Sequence, residues 1–461
     1  MGLSDGFNLE LNPLTSDNFS RSEGFSFHGK RVDGGFALPP INSMIHPRIL
    51  AGLLVLHLSI SAHAQSTTPP ALPVIPDKTF SVADYGAVGD GKTLNTAALQ
   101  KAIEAVTQAG GGTLTIPAGR FLTGPLTLAS SINLQLAKDA VLLFSDDITT
   151  FPSSNKRYQN CLSVGDAHDL EISGEGTIDG QGAAWWKAYR ADANMMHRPM
   201  MVTFTHCSRI LVTGVHLTNS PMFHLVPGHC TDVTIKDIVI TAPADSVNTD
   251  GIDPSGSNYL IDGCTIDTGD DNIAIKPGET EKDHDYLIAH CHFLHGHGMS
   301  IGSGTAGGIE NLTVTDCSFD GTTSGIRIKT SRGRGGLAQN LTYQNLTMKG
   351  VKNPILLTDY YPKSPATPDE DPAQPVTPLT PAFANITISN LTSTDSPTAG
   401  TIWGLPEMPI SGLTFTNVHL TAEKGMKIVH AKGIRFSDSD ITVVSSGEKL
   451  ILSDAEVNGL N

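Results

Sequence analysis

The chain has 461 residues, a formal net charge of −16 and 46 glycines, with only 6% aromatic and 16% charged residues. That length holds one large core or two to three ordinary domains, and the composition suits many short strands and turns rather than helices. The acidic balance argues against a nucleic-acid partner, whose phosphates need basic charge, and weighs mildly against any polyanionic ligand.

In chain order, the first feature is Arg48 ahead of an apolar run, Ile49 to Ile60, closed by Ala62-His63-Ala64. A basic residue, a short apolar stretch and a small-x-small site together read as a secretory signal peptide over 44–64. The run is too short to span a bilayer comfortably. Such signals start at the initiating Met, so translation is expected to begin at Met44, with 1–43 an upstream extension; a long-tailed signal anchor is the alternative. A secreted or periplasmic location follows, with no membrane partner. The Pro- and Thr-rich stretch 65–79 is expected to be a disordered or extended linker. Residues 80–461 are expected to form a single domain.

"NTAALQKAIEAVTQAGGG" from Asn95 is the one convincing helix. Asn95 or Thr96 can cap its start, apolar residues recur at helical spacing, and Gly110 stops it. Beyond it a strand-like unit recurs: "DVTIKDIVI" from Asp232, "YLIDGCTID" from Tyr259, "YLIAHCHFL" from Tyr286, "NLTVTDCSF" from Asn311, "NLTYQNLTM" from Asn340, "NITISNLTS" from Asn385 and "GLTFTNVHL" from Gly412. Each alternates apolar and polar residues, so each is a strand with one buried face. The closer copies repeat about every 25–29 residues, the period of a solenoid. Leucine-rich repeats have a similar period but need regular Leu and Asn positions that are absent. The expected fold class is therefore all-β, a right-handed parallel β-helix with the Asn95 helix across its N-terminal end. Cys264, Cys291 and Cys317 fall at matching positions and are expected to stack as an interior ladder of thiols. Cys161, Cys207 and Cys230 cannot be paired from sequence. A segment rich in Pro, Asp and Thr, from Pro362 to Thr380, delays one copy of the repeat.

Four polar clusters interrupt the apolar pattern: "NTDGID" with Asp250, "GDD" with Asp270 and Asp271, "GHG" with His297, and "RIK" with Arg327 and Lys329. Each gap is roughly one coil, so these residues should stack on one face, in a column about 14 Å high at the spacing of paired strands. That height suits a few sugar rings. Three carboxylates beside a His and two cations are what acid/base hydrolysis of an acidic glycan requires. One carboxyl must stay protonated, which crowding by like charge favours, and another must take a proton from water. Arg327 and Lys329 alternate on a strand and so share a face, where they can bind a substrate carboxylate.

These four motifs, in this order, resemble glycoside hydrolase family 28, the polygalacturonases and their relatives. The resemblance runs from "FSVADYGAVGDGKT" at Phe80 through "GEGTIDGQG" near Gly174 to about Val443. It implies a right-handed parallel β-helix and metal-independent, inverting hydrolysis of α-1,4-linked galacturonan, with no cofactor. It further implies that Asp270 is the proton donor, that Asp250 and Asp271 activate water, and that His297 keeps the donor's protonation right. Asn248, Arg327 and Lys329 would bind substrate, joined by a Tyr of "TDYYP", for which Tyr360 is preferred over Tyr361. Asn272 follows the Asp pair where many relatives carry Cys, so no disulfide is assumed there.

Lys276, Arg332 and Arg334 are open between a solvated surface and the cationic side of a groove. The Asn-x-Thr sequons read as turn residues stacked coil on coil. "SIGSGTAGG" from Ser300 leads into no helix, so it is no phosphate loop, and no Cys/His spacing suggests zinc. Rival readings are a rhamnogalacturonan or xylogalacturonan hydrolase on the same fold, a calcium-dependent pectate lyase, and a non-catalytic glycan-binding solenoid. The expected partner is a polysaccharide, and a monomer is the default.

Overall fold

The computed structural model describes residues 68–460, so the signal peptide and its upstream extension lie outside the described residues. From Thr68 to Lys78 the chain has neither helix nor strand. It is held to the body by two carboxylates, Asp169 accepting from the Val74 N–H and Asp232 from that of Ala71.

From Thr79 onward short strands pair in parallel with strands one coil away. Among the described residues the antiparallel exceptions are a hairpin over 153–158 and a bridge between Ser331 and Tyr360. The chain winds as a parallel β-helix of three faces. One face stacks Cys230–Lys236, Gly256–Asp262, Asp283–Ala289 and Ile309–Thr315. A second stacks Val239–Thr241, Thr265–Asp267, His292–Phe293 and Ser318–Asp320. The third stacks Ile273–Ile275, Met299–Gly302, Ser324–Lys329 and Asn353–Thr358, and isolated bridges continue it back through Ile252 to Leu225.

The alternation read from the sequence is the reason. Each inward residue meets its counterpart one coil away, giving a buried ladder Ile235, Ile261, Ile288, Val314, Tyr343, Ile388 and Phe415 on the first face. The second face buries Ile240, Ile266, Phe293 and Phe319, the last two with rings 4.7 Å apart. Each such buried side chain contributes about 1.5–3 kcal/mol by leaving water.

Cys264, Cys291 and Cys317 are buried, and each thiol turns to a carbonyl two residues back, at 3.5, 3.3 and 3.2 Å. Cys161, Cys207 and Cys230 are also buried, and all six are free thiols.

The helix α1 spans Thr96–Gln108 and buries Leu99, Ala102, Ile103 and Val106 in the same core as the first strands. Its start differs from expectation. Asn95 precedes it but makes no side-chain cap. Its amide instead bonds the carbonyls of Val88, Thr93 and Leu122, tying the preceding loop to the first coil. Ala109 follows the last turn, and Gly110 breaks away at φ +82°, a conformation that glycine adopts freely. A second helix, α2 at Ala183–Ala191, was not expected; it buries Trp185 and Trp186.

The sequon asparagines stack as anticipated. Asn311, Asn340 and Asn385 stand one above another with φ of +54° to +60°, each donating its side-chain amide to the residue one coil below, from Asn385 down to Asp285. Asn345, Asn390 and Asn417 form a second such file above Asp316. Asn tolerates the left-handed region that these corners need.

Candidate active site

The outward side of the third face carries the four motifs. Gly251 N–H donates to the Asp271 carbonyl and His297 N–H to that of Asp270, so the three motifs lie on successive coils. The fourth departs from a strict column. Arg327 is paired with Ser300 and Lys329 with Gly302, three and five residues past His297 on the coil before. Arg327 and Lys329 stand further along their strand, and their long side chains reach back across a coil.

What they reach is Asp271. Arg327 Nη1 lies 2.7 Å from its Oδ1 and Lys329 Nζ 2.6 Å from its Oδ2, and Ser300 Oγ donates to Oδ1 at 3.0 Å. Burial would raise this carboxyl, which is only 2% exposed, but the hydrogen bond from His297 and the charges of Lys329 and Arg327 hold it well below the usual range. Asp270 is the accessible member of the pair, at 23%. Its Oδ1 lies 3.0 Å from His297 Nδ1 and accepts the Asp271 N–H at 2.9 Å. Burial opposes ionisation here too, yet the His297 hydrogen bond wins and Asp270 sits below its ordinary pKa. The same bonds, to Asp270 first and then Asp271, raise His297 to about 9. Asp270, Asp271 and His297 bring three ligand-type atoms within 4.8 Å of one another, but both Asp271 oxygens already accept from cations. The cluster is an ion-pair network rather than a cage of open ligands.

Burial raises two carboxyls of the site, Asp250 and Asp253, the latter to about 6. Burial first, then the adjacent Asp253, push Asp250 well above the usual range against the pull of Lys276. Lys276 Nζ lies 2.9 Å from Asp250 Oδ2 and 2.5 Å from Asp253 Oδ2, over the Phe223 ring at 4.0 Å. Asn248 stands 3.5 Å from Asp270 Oδ2 through its amide nitrogen, and its oxygen accepts from Arg198 Nη2 at 2.7 Å. Arg198 is itself buried and also donates to the Pro221 and Val247 carbonyls.

Tyr360 and Tyr361 face different groups. Tyr360 turns away, its hydroxyl donating to Asp371 at 2.6 Å and its ring edge-on to Trp403. The ring of Tyr361 is the one beside the cations, 5.1 Å from Lys329 Nζ and 5.8 Å from the Arg327 guanidinium. The period-2 rule that would favour Tyr360 stops at Thr358, where the strand ends.

The open cations are now placed. Lys276 belongs to the site. Arg332 is committed elsewhere, bonding Glu407 through Nε and Nη2 and Asp371 through Nη1, which fastens the 362–380 segment beside the site. Arg334 donates to Ser303 Oγ. Asn272, at the position after the Asp pair, bonds the carbonyls of Ile266 and His295 and accepts the Gly298 N–H. It thereby fixes the turn that presents both aspartates.

Sequence reasoning did not select Asp253, Ser300 or Arg198. Asp253 had a signal: in "DGID" the inward Ile252 puts its neighbours outward. Arg198 had none, because it arrives from an irregular loop after α2.

The family model for glycosyl hydrolases family 28 matches residues 107–439. The chain belongs to that family. It is a glycoside hydrolase. It is 33% identical over 400 residues to a probable polygalacturonase of Vitis vinifera, covering 80% of this chain and 78% of that one. To an endo-polygalacturonase of Pectobacterium parmentieri it is 33% identical, over 72% of this chain and 86% of that one. Among solved structures the polygalacturonase of Erwinia carotovora ssp. carotovora superposes with a TM-score of 0.65 at 27% identity, over 86% of this chain and all of the other. The family 28 fold is thus a right-handed parallel β-helix here, as expected.

Proposed function

We propose that this family 28 enzyme hydrolyses α-1,4-galacturonosidic bonds of pectin by inverting acid/base catalysis without a metal. The observation that carries the reading is the accessible Asp270, 3.0 Å from His297 Nδ1 and beside an Asp271 pinned by two cations. A galacturonate carboxylate would be taken by Arg327 and Lys329, with Tyr361 against the ring. That added negative charge draws the cations from Asp271 and raises the carboxylate pair. Asp270 Oδ1 then accepts the proton from His297 Nδ1 and passes it to the leaving glycosidic oxygen. Asp250, with Asp271, takes a proton from the attacking water on the opposite side. Asp250 Oδ1 is buried and has no protein partner. Export to pectin outside the cell rests on the signal-like run Ile49–Ile60.

Incubation with polygalacturonic acid plus a chelator tests this. New reducing ends without an unsaturated chromophore are expected, with the product's anomeric configuration inverted by NMR. Asp270→Asn and Asp271→Asn should each lower kcat by about 10²–10⁴ while the protein still binds the polymer. An unsaturated product or loss of activity to chelator would mean elimination. Activity on another pectic backbone alone would keep the fold and change the substrate, and binding without turnover in the unaltered protein would leave a glycan-binding solenoid.

A further inference from the structure

Lys276 and Asp253 have no part in the steps just described, yet they are built into the site. Lys276 is the residue after the strand Ile273–Ile275, in the coil of the Asp pair, and Asp253 lies on the coil before it. The Lys276 ammonium bridges the two acids of "DGID" and rests on the Phe223 ring, so its position is fixed from three sides. Asp253 is buried, and its second oxygen, like that of Asp250, meets no protein donor. A buried acid with one unpaired oxygen is costly for stability alone.

We propose that Lys276 and Asp253 are a positioning pair that sets the pH at which Asp250 becomes an ionised base, Lys276 favouring the carboxylate and Asp253 opposing it. The idea rests on the reading of Asp250 as a base. Beyond these two, the charged or titratable groups facing Asp250 are Asp270 and Asp271 on the next coil, Arg198 from the loop after α2, and His224. Asp270 and Asp271 oppose ionisation of Asp250, and Arg198 favours it. His224 bonds the Asp250 carbonyl, and burial lowers it to about 4, so it stays neutral in the working range. Lys276 is the cation in direct contact with the Asp250 carboxylate, and Asp253 shares that cation. Asp253 therefore limits how far Lys276 can stabilise ionised Asp250, which with the burial of Asp250 leaves a base with more proton affinity than an ordinary salt-bridged aspartate.

The acid limb of kcat/KM on polygalacturonic acid reads this directly, because it reports ionisation of the base in the free enzyme. Lys276→Met removes the favouring charge and should move the limb up by about one pH unit or more. Lys276→Arg should return it towards the parent value. Asp253→Asn removes the opposing charge and should move the limb down. Opposite displacements from two substitutions around one ammonium are not produced by loose packing. Equal scaling of activity at every pH, or displacement of both variants in the same direction, would overturn the proposal. Asp250→Asn is run alongside: if it keeps more than about a tenth of the parent kcat, the base reading itself fails, a separate outcome. Should a variant not fold, carbon-13 titration of the Asp carboxyls in the unaltered protein decides. Asp250 and Asp253 titrating together and above the ordinary carboxylate range supports the pair; two independent ordinary titrations overturn it.

Discussion

His297 shows how single residues here depend on their pairing. Its imidazole gains two carboxylate partners on folding, Asp270 and then Asp271, which lift it from 6.5 to about 9. A group raised on folding contributes stability that is fully present below its unfolded pKa and is lost as pH rises through the folded one. The melting temperature of the parent should therefore exceed that of His297→Gln most between the titration of the aspartates and about pH 6.5, with the gap closing as pH rises through about 9. A constant gap across that range would show that His297 is not charged in the folded protein. The adjacent pair "DD" also resolves at this scale. Two neighbouring carboxylates are tolerable because their environments differ: Asp271 is buried against two cations, and Asp270 faces solvent and His297.

At the scale of the element, the corners between strands are set by short polar side chains. Asn340 sits at φ +56°, donates to Asn311 and accepts from Asn385. Asn340→Ala loses both bonds and places an ordinary side chain in the left-handed region, so it should cost about 1–2 kcal/mol. Asn340→Gly keeps the backbone geometry and should cost less. Urea titration of the two variants separates the backbone part from the ladder. The fourth motif is also an element-scale effect. The strand Ser324–Lys329 points alternate side chains outward, and Arg and Lys are long enough to reach the carboxylate on another coil.

From Thr79 onward the described residues form a stack in which each coil is held mainly by its two neighbours, as in any solenoid. Phe293 is fully buried against Phe319 in the coil that also carries His297. Phe293→Ala should open a cavity costing about 3–5 kcal/mol, read as a lower urea midpoint. Because the site spans that coil and its neighbours, activity should fall at lower denaturant in the variant, together with the structural transition. The net charge of −16 looked unfavourable for a polyanionic substrate, but the third face collects Arg198, Lys276, Arg327 and Lys329 around the aspartates. Charge is arranged locally, and the total does not describe the groove.

By itself the sequence determined the repeat, and the repeat carried the rest. Strand alternation fixes which side chains face inward, a period near one coil fixes which residues are neighbours, and together they assemble Asp250, Asp270, Asp271, His297, Arg327 and Lys329 before any coordinates are known. The file of turn asparagines follows from the same period. What only the tertiary structure decided lies where periodicity stops. Tyr361 lies beside Arg327 and Lys329, and Tyr360 beside Arg332, in a stretch beyond the strand end at Thr358 where alternation no longer applies. Arg198 comes from a loop without repeat, so no spacing announces it. The bridge from Lys276 to Asp250 and Asp253 depends on distances of a few ångströms, and the raised proton affinity of Asp250 comes from its burial and from Asp253, against the pull of that bridge. A pattern of residue types places side chains on a common face, but which oxygen receives which cation is settled by packing.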